Sequence, residues 1–402
     1  MKIGIIREGK VPSDKRVAFT PKQCKKIRES YPQIYITVQS SPHRAYMDEE
    51  YDERCFVPVD DLTHCDILFG IKEVPVEELI ADKTYFFFSH TIKKQPYNKG
   101  LLQAVLEKNI TLLDYELITD DDGNRLLGFG RFAGLVGAYN GLKAYAIRVG
   151  LPEPKSAHTL PTLSEMKEEA SNIELPPIRI AFTGEGRVAS GVRELLEEMG
   201  VRELDVDTYL RGDRYSEPVF VQLKPGDYNK RKDGTAFDLK HFFANPGEYE
   251  GNFKRFCSET DLFISSAFWD PKAPVLFTRE DMLEDNFCIK VIADITCDIQ
   301  GSIPSTLRSS MILDPFYGYN PKTGKEEDAF YRDENITIMA VDNLPNELPR
   351  DASKMFGKAI KEHVLPLLVN DTENAILERA TIVKNGKLTE RFKYLEEWVK
   401  SE

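Results

Sequence analysis

Long hydrophobic runs are missing from this 402-residue chain. No stretch reaches the roughly eighteen apolar residues that crossing a bilayer needs, so the sequence offers no spanning helix. The start, Met1-Lys2-Ile3-Gly4-Ile5-Ile6, lacks the longer apolar segment and small-residue cleavage site of a signal peptide. Cysteine is sparse: six residues (Cys24, Cys55, Cys65, Cys257, Cys288, Cys297), none in CxxC spacing. That pattern disfavours a disulfide framework and structural zinc. It predicts reduced, mostly buried thiols, no metal, and a cytoplasmic location. Positive charge is in deficit, with 53 Lys and Arg against 66 Asp and Glu and a net charge of -13. Polyanions are repelled, so neither nucleic acid nor an acidic membrane is expected as a partner. A small anionic ligand remains compatible, because local arginines outweigh distant charge. Low-complexity tracts and repeats are absent too, which argues against extensive disorder.

What is present is alternation. The length exceeds what one hydrophobic core serves, so two domains are expected. Strands are predicted at Ile3–Ile6, Ile34–Gln39, Asp66–Ile71, Thr84–Ser89 and Ile110–Asp114, with helices at Pro21–Ser30 and Gln95–Lys108. Continuous apolar runs such as Thr84-Tyr85-Phe86-Phe87-Phe88-Ser89 suit strands covered on both faces. This β-α order implies an α/β fold with doubly wound parallel sheets. Small and apolar residues at helical spacing from Phe132 to Val149 predict a long helix, and Pro176-Pro177 marks a boundary. A second unit starts at Ile178. It shows strands at Ile178–Thr183, Asp261–Ser265, Cys288–Ile295 and Ile336–Val341, and a helix at Pro349–Leu368. The charged, aromatic stretch 211–256 reads as an excursion, and 371–402 as an amphipathic tail on the first domain. The expected division is 1–134 plus 345–402 for a discontinuous catalytic domain, and 135–344 for a dinucleotide-binding domain.

The sharpest motif is Gly184-Glu185-Gly186-Arg187-Val188-Ala189, set between an apolar strand and a helix. Gly184 permits a tight turn, Gly186 lets backbone approach a pyrophosphate, and Ala189 allows close helix packing. The helix that follows, predicted at Ser190–Gly200 with Gly200 as its C-cap, presents free N–H groups and partial positive charge to phosphates at its N-terminus. Arg187 and Val188 of the turn join the expected binding residues. In that context NAD or NADP binding outweighs a merely structural turn. A ribose-binding acid is expected near Leu204–Leu210, where Asp205 and Asp207 are candidates, or solvated loop acids. Arg211 is close enough to serve a 2′-phosphate, so the choice of dinucleotide stays open.

In the first half, polar residues follow the strands, where doubly wound sheets place ligands. Lys72 and His90 each follow a strand, Glu116 follows a third, and Arg16 and Arg125 lie in adjoining segments. A lone Lys or His at a strand end is more often structural. Two on adjacent strand ends, facing an expected cofactor cleft, make a better case for acid-base work. The arginines suit carboxylates through bidentate pairing. Residue patterns alone point to a small carboxylate oxidised at a C–N or C–O bond.

These residues sit in longer stretches. They include Lys2-Ile3-Gly4-Ile5-Ile6-Arg7-Glu8, Asp14-Lys15-Arg16-Val17-Ala18-Phe19-Thr20-Pro21, Gly70-Ile71-Lys72, Phe87-Phe88-Ser89-His90-Thr91-Ile92-Lys93 and Asp114-Tyr115-Glu116. Later come Gly128-Phe129-Gly130-Arg131-Phe132-Ala133-Gly134, Ala293-Asp294-Ile295-Thr296-Cys297-Asp298-Ile299-Gln300-Gly301-Ser302-Ile303, and Asp342-Asn343-Leu344-Pro345-Asn346-Glu347-Leu348-Pro349. In family order they resemble the alanine dehydrogenase, transhydrogenase and saccharopine dehydrogenase superfamily. The narrower resemblance is to the lysine-ketoglutarate reductase, or lysine-forming saccharopine dehydrogenase, family.

The resemblance implies two Rossmann-like domains around a cleft, joined by long helices. It implies an NAD(P)-dependent reaction joining lysine and 2-oxoglutarate into saccharopine through a reduced imine, or the reverse. It implies that Lys72 handles the proton of the reacting amine and His90 that of the carbinolamine oxygen or its water, or the two exchanged. Glu116 would tune both. Arg16 and Arg125 would hold the carboxylates of the 2-oxoglutarate portion, and Asp294 and Asn343 would lie on the cofactor side. Lys72 must then be neutral part of the time, through burial or nearby cations such as Arg16. The saccharopine-splitting half of the fused animal and plant proteins is absent from these residues. Two other readings compete: a related amino-acid dehydrogenase releasing ammonia, and a non-catalytic dinucleotide sensor.

Overall fold

Short apolar runs covered on both faces build the first sheet. The computed structural model describes residues 1–54, 56–370 and 374–401. Cys55, residues 371–373 of the expected tail and Glu402 lie outside the described residues. Strands β1 (Lys2–Ile5), β2 (Tyr35–Val38), β3 (Ile67–Phe69), β4 (Thr84–Phe87) and β5 (Thr111–Asp114) stand in the order β5-β4-β3-β1-β2, all parallel. Parallel pairing requires crossovers. Helices α1 (Pro21–Ser30) and α2 (Lys99–Glu107) lie on two of them. The start of α1 is fixed locally: Thr20 accepts from the Gln23 N–H, the Gln23 side chain accepts from the Thr20 N–H, and Pro21 occupies the first turn. Phe69 and Phe86 stack across β3 and β4 at 4.7 Å inside the sheet's core.

The second unit opens with α3 (Gly130–Arg148) and builds a larger sheet. Its strands are β6 (Arg179–Thr183), β7 (Arg202–Glu203), β8 (Val219–Leu223), β9 (Asn229–Arg231), β10 (Tyr249–Gly251), β11 (Leu262–Ser265), β12 (Val291–Asp294), β13 (Phe316–Asn320), β14 (Lys325–Glu327) and β15 (Ile336–Met339). Eight of them run in the order β14-β13-β15-β12-β11-β6-β8-β7. The block from β15 to β7 is parallel, while β13 and β14 add an antiparallel edge. Helix α4 (Arg187–Glu198) follows the glycine turn. It is crossed very closely by α3, because a Cβ on Gly134 would lie 1.9 Å from the Val188 carbonyl oxygen. Gly191 meets the Arg131 carbonyl in the same way, at 2.1 Å. The small residues between 130 and 148 therefore serve this crossing.

The stretch 211–256 is not wholly an excursion, because Val219–Leu223 is the immediate neighbour of β6. Val219, Phe220, Val221 and Leu223 are buried, but charged flanks hide so short a run in the sequence. The excursion proper starts at Lys224. It carries its own two-stranded antiparallel ribbon, β9 with β10, and the short helix α5 (Leu239–Ala244).

The chain then returns to the first unit. Helix α6 (Pro349–His363) is shorter than the predicted Pro349–Leu368, and a separate helix spans Leu365–Asn370. Pro366 accounts for the break, since it has no N–H and its ring collides with the preceding turn. The tail is not simply an amphipathic cover. Strand β16 (Thr381–Lys384) adds antiparallel to β5 and turns through Asn385 (φ 46°) and Gly386 (φ 70°) into β17 (Lys387–Leu388). Two positive φ values in succession suit the tight turn of a twisted hairpin. The two compact units are Met1–Phe129 with Pro349–Glu402, and Gly130–Leu348. The joints lie a few residues from the expected 134/135 and 344/345. Cys24, Cys65 and Cys257 are buried free thiols, Cys297 is half-buried and Cys288 is exposed. Among the described residues, no helix is long and apolar enough to cross a membrane.

Candidate active site and dinucleotide cavity

In the first unit, two carboxylates fix the strand ends that carry the expected acid-base pair. Glu8, just beyond β1, accepts from the backbone N–H groups of Ile71 and Lys72 at 2.7 and 2.8 Å. Desolvation, then the like charge of Asp14, pushes the Glu8 carboxyl up to about 8. Asp114, fully buried at the end of β5, accepts from Ser89 N–H (2.9 Å), Ser89 Oγ (2.6 Å), His90 N–H (3.2 Å) and Glu116 N–H (2.8 Å). One side chain thus sets the backbone before both His90 and Glu116. His90 holds a left-handed conformation, φ 53°, which a non-glycine residue adopts only when its surroundings impose it.

The side chains are tied as firmly. His90 Nδ1 lies 2.6 Å from Glu73 Oε1, and Glu73 Oε2 accepts from Lys10 Nζ at 3.0 Å. Burial raises Glu73, but the hydrogen bond and charge of His90 outweigh it and hold the carboxyl at about 2. An ionised carboxylate only accepts, so Nδ1 carries a proton and Nε2 is left to exchange one. Lys72 is half-buried. Desolvation, followed by the charges of Arg16 and Lys10, lowers its pKa from the ordinary lysine value. Arg16 is buried over the Phe129 ring at 4.2 Å and donates through Nε to Asp14 Oδ1 at 2.9 Å. Glu116 is buried. Its Oε1 lies 3.2 Å from Arg125 Nη1 and 3.4 Å from Lys93 Nζ, while Oε2 has no hydrogen-bond partner among the described residues.

The residues expected from sequence in this unit are therefore linked through intermediaries that sequence did not single out. Glu73, Glu8, Asp14, Asp114 and Lys10 are the missed members. Glu73 had a signal, since it directly follows Lys72, but charge order along a loop does not say which partner it meets. Both arginines expected to hold substrate carboxylates already hold carboxylates of their own chain.

In the second unit the glycine turn sits where the strand order reverses, between β8 and β11 on either side of β6. Open α/β sheets place ligands outside the carboxyl ends at such a point. Gly184 has φ 98° and a Cβ there would approach the Ala267 backbone to 3.2 Å, so both conformation and space require glycine. Gly186 differs: it takes an ordinary φ of -84°, and a Cβ would meet nothing within 4 Å. The fold itself does not demand glycine at 186. The open space above it and the uncapped N-terminus of α4 suit an approaching phosphate pair. Arg187 is exposed, Val188 half-buried and Ala189 fully buried at the start of that helix.

Beside the turn lies a cavity of about 500 Å³, lined by Gly184 to Gly186, by Tyr228, Asn229, Leu239, Phe242 and Phe243 of the excursion, and by Ser265 to Asp270 after β11. Asp207 does not reach it. Strand β7 is the sheet edge, separated from β6 by β8, and Asp207 is exposed in the short helix Val206–Leu210 that Asp205 caps. The residue after β8 is Lys224, whose Nζ lies 3.3 Å from Glu185 Oε1. Asp294 and Asn343 do not line the cavity either. Buried Asp294 accepts from Thr296 Oγ1 and Thr306 Oγ1, each at 2.6 Å, and so pins the loop after β12. Asn343, half-buried, precedes the turn Leu344–Glu347 and accepts there from the Asn346 N–H at 3.0 Å. The lining residues are not legible in the sequence, because the short strand Val219–Leu223 that positions them lies between polar flanks.

Family models describe both halves. Residues 4–136 match the alanine dehydrogenase/PNT N-terminal domain and residues 238–393 its C-terminal domain. The chain is 30% identical to alpha-aminoadipic semialdehyde synthase of Arabidopsis thaliana, over 99% of this chain and 42% of that protein. It is 28% identical to the mitochondrial alpha-aminoadipic semialdehyde synthase of Mus musculus, over 95% and 46%. The chain thus spans less than half the length of these two relatives. It is 24% identical to saccharopine dehydrogenase [NAD(+), L-lysine-forming] of Emericella nidulans, over 90% of this chain and 91% of that protein. In fold it is similar to an L-alanine dehydrogenase (TM-score 0.66, 13% identity, 99% and 100% covered). A transhydrogenase from Sinorhizobium meliloti is similar as well (0.62, 13%, 97% and 100%).

Proposed function

The chain belongs to the alanine dehydrogenase/PNT family, and on that premise we propose that it is an NAD(P)-dependent oxidoreductase interconverting saccharopine with lysine and 2-oxoglutarate. The observation that carries the reading is the first unit's linked set, Lys72 with lowered pKa beside the Glu73–His90 pair. Bound NAD or NADP would take up or deliver the hydride at the carbon bearing the amine. Lys72, neutral for part of the time, takes the proton from the secondary amine as that carbon is oxidised. His90, through Nε2, takes a proton from the water that adds to the resulting imine, with Glu73 balancing the imidazolium charge. Lys72 returns its proton to the imine nitrogen as water adds. The carbinolamine then divides as His90 gives its proton to the departing lysine nitrogen and Lys72 takes the hydroxyl proton, leaving the ketone of 2-oxoglutarate. Glu116 accepts from a substrate N–H on its unpartnered Oε2. Arg125, more exposed than Arg16, exchanges Glu116 for a substrate carboxylate.

Gly184, Gly186 and the α4 N-terminus hold the pyrophosphate. Asp207 has no part in this reading. Asp294 shapes its loop from within, and Asn343 stands near the strand ends. The reading also places the protein in the cytoplasm, on its scattered free cysteines, with small molecules and not nucleic acid as partners. The test is a substrate screen with NADH and NADPH, following nicotinamide absorbance. Oxidation should require lysine and 2-oxoglutarate together. Turnover with pyruvate and ammonia would replace this reading with an alanine dehydrogenase-like one, and dinucleotide binding without any turnover would replace it with a sensor.

A further inference from the structure

The second unit's cavity contains a chemical asymmetry. Among the described residues no lysine or arginine lines it, and its charged members are Glu185 and Asp270. Dinucleotide phosphates therefore belong at the rim, on the glycine turn, and the interior suits an uncharged, flat group. The side on which it lies selects that group. It opens beside β8, the parallel neighbour of β6 on the side away from β11, where a doubly wound sheet places the adenosine half of a dinucleotide. Resting on the dinucleotide reading above, we propose that the excursion 224–256 is an aromatic wall that holds the adenine ring in this cavity.

The excursion is constructed for that task. Phe237, Phe242 and Tyr249 pack ring to ring at 5.0 to 5.6 Å, giving the ribbon and α5 a small core of their own. Tyr249 Oη donates to the Asp238 carbonyl at 3.1 Å, tying the far strand to the start of α5. Rigidity comes from these contacts, so other rings are left to face a ligand. Phe243 lines the cavity and is 63% exposed, and Phe268, from the loop after β11, lines it while 84% exposed. Each leaves apolar area in water that a base would cover. Two loops, one on either flank of β6, thus offer a ring to the same space. Stacking on such rings is how proteins hold bases without reading their edges. A volume of about 500 Å³ accommodates adenosine with room for solvent.

The experiment is calorimetry on the full chain with AMP, ribose 5-phosphate, nicotinamide mononucleotide and the intact dinucleotide. AMP should bind and ribose 5-phosphate should not. Phe243→Ala should weaken AMP about tenfold, Phe243→Trp should restore it, and nicotinamide mononucleotide should be unaffected. Phe268→Ala provides a second, independent loss. Because both side chains are largely exposed, neither truncation should unfold the protein, and unchanged melting verifies this. If AMP and dinucleotide bind equally well to wild type and to both alanine variants, the aromatic wall is overturned while the dinucleotide reading survives. If no dinucleotide binds to the wild-type chain, both fall together.

Discussion

The two sheets end in sites of opposite character. In the first unit the strand ends are crowded with ionised groups, each with a partner: Glu73 on His90, Asp14 on Arg16, Glu116 on Arg125. In the second the comparable edge carries glycine, serine and exposed rings around an open space. Under the proposed function, the difference follows from what each would do. Proton transfer needs groups whose pKa values are displaced and whose orientation is fixed, and in a partly dry setting that takes many charged neighbours. Holding a dinucleotide needs backbone N–H groups at the phosphates and flat apolar surface at the base. Substitutions should therefore separate along that line.

The largest expected effect is Lys72→Met, which should lower kcat at least about 100-fold while leaving the dinucleotide Kd within about twofold. Initial rates and a binding titration check it. A matching loss of dinucleotide affinity would break the division between the two sites. Gly186→Val should do the reverse, weakening dinucleotide binding about tenfold or more because two methyl groups enter the phosphate approach. Its melting temperature should stay within about 2 °C, because a Cβ there has no described neighbour within 4 Å beyond the adjoining residues. Gly134→Ala is the internal control. There the Val188 carbonyl leaves no space, so stability should fall by about 3 kcal/mol in denaturant titrations. Glu73→Gln should lower kcat about tenfold, since an amide holds the His90 proton less firmly than a carboxylate.

The smallest effect concerns stability and pH. Burial pushes Glu347 up to about 8, although Asn140 Nδ2 donates to it at 2.8 Å. The folded state thus retains a proton that the unfolded chain releases near the ordinary glutamate value. Its stabilising effect is complete below that value and declines as pH rises through about 8. Glu347→Gln should flatten the fall in melting temperature between about pH 5 and 8. An unchanged slope would show that Glu347 is already ionised at neutral pH.

Much of this was written locally. The β-α order, the glycine turn and the strand-end positions of Lys72, His90 and Glu116 follow from runs of residues, because strand burial and turn geometry are short-range constraints. Pro21–Ser30 is a helix with the predicted bounds, since Thr20, Pro21 and Gln23 encode its start. Where the signal was long-range, sequence failed in identifiable ways. Val219–Leu223 is a strand because β6 lies beside it, and that pairing leaves Asp207 beyond the sheet's outer strand, away from the glycine turn. β16 enters the first sheet because β5 offers an edge some 270 residues earlier. Sequence by itself determined the fold class, the glycine turn and the residue types at the strand ends. Only the tertiary structure decided which carboxylate meets which cation, and which rings border the cavity. Those choices depend on distances between strand ends that no local pattern encodes.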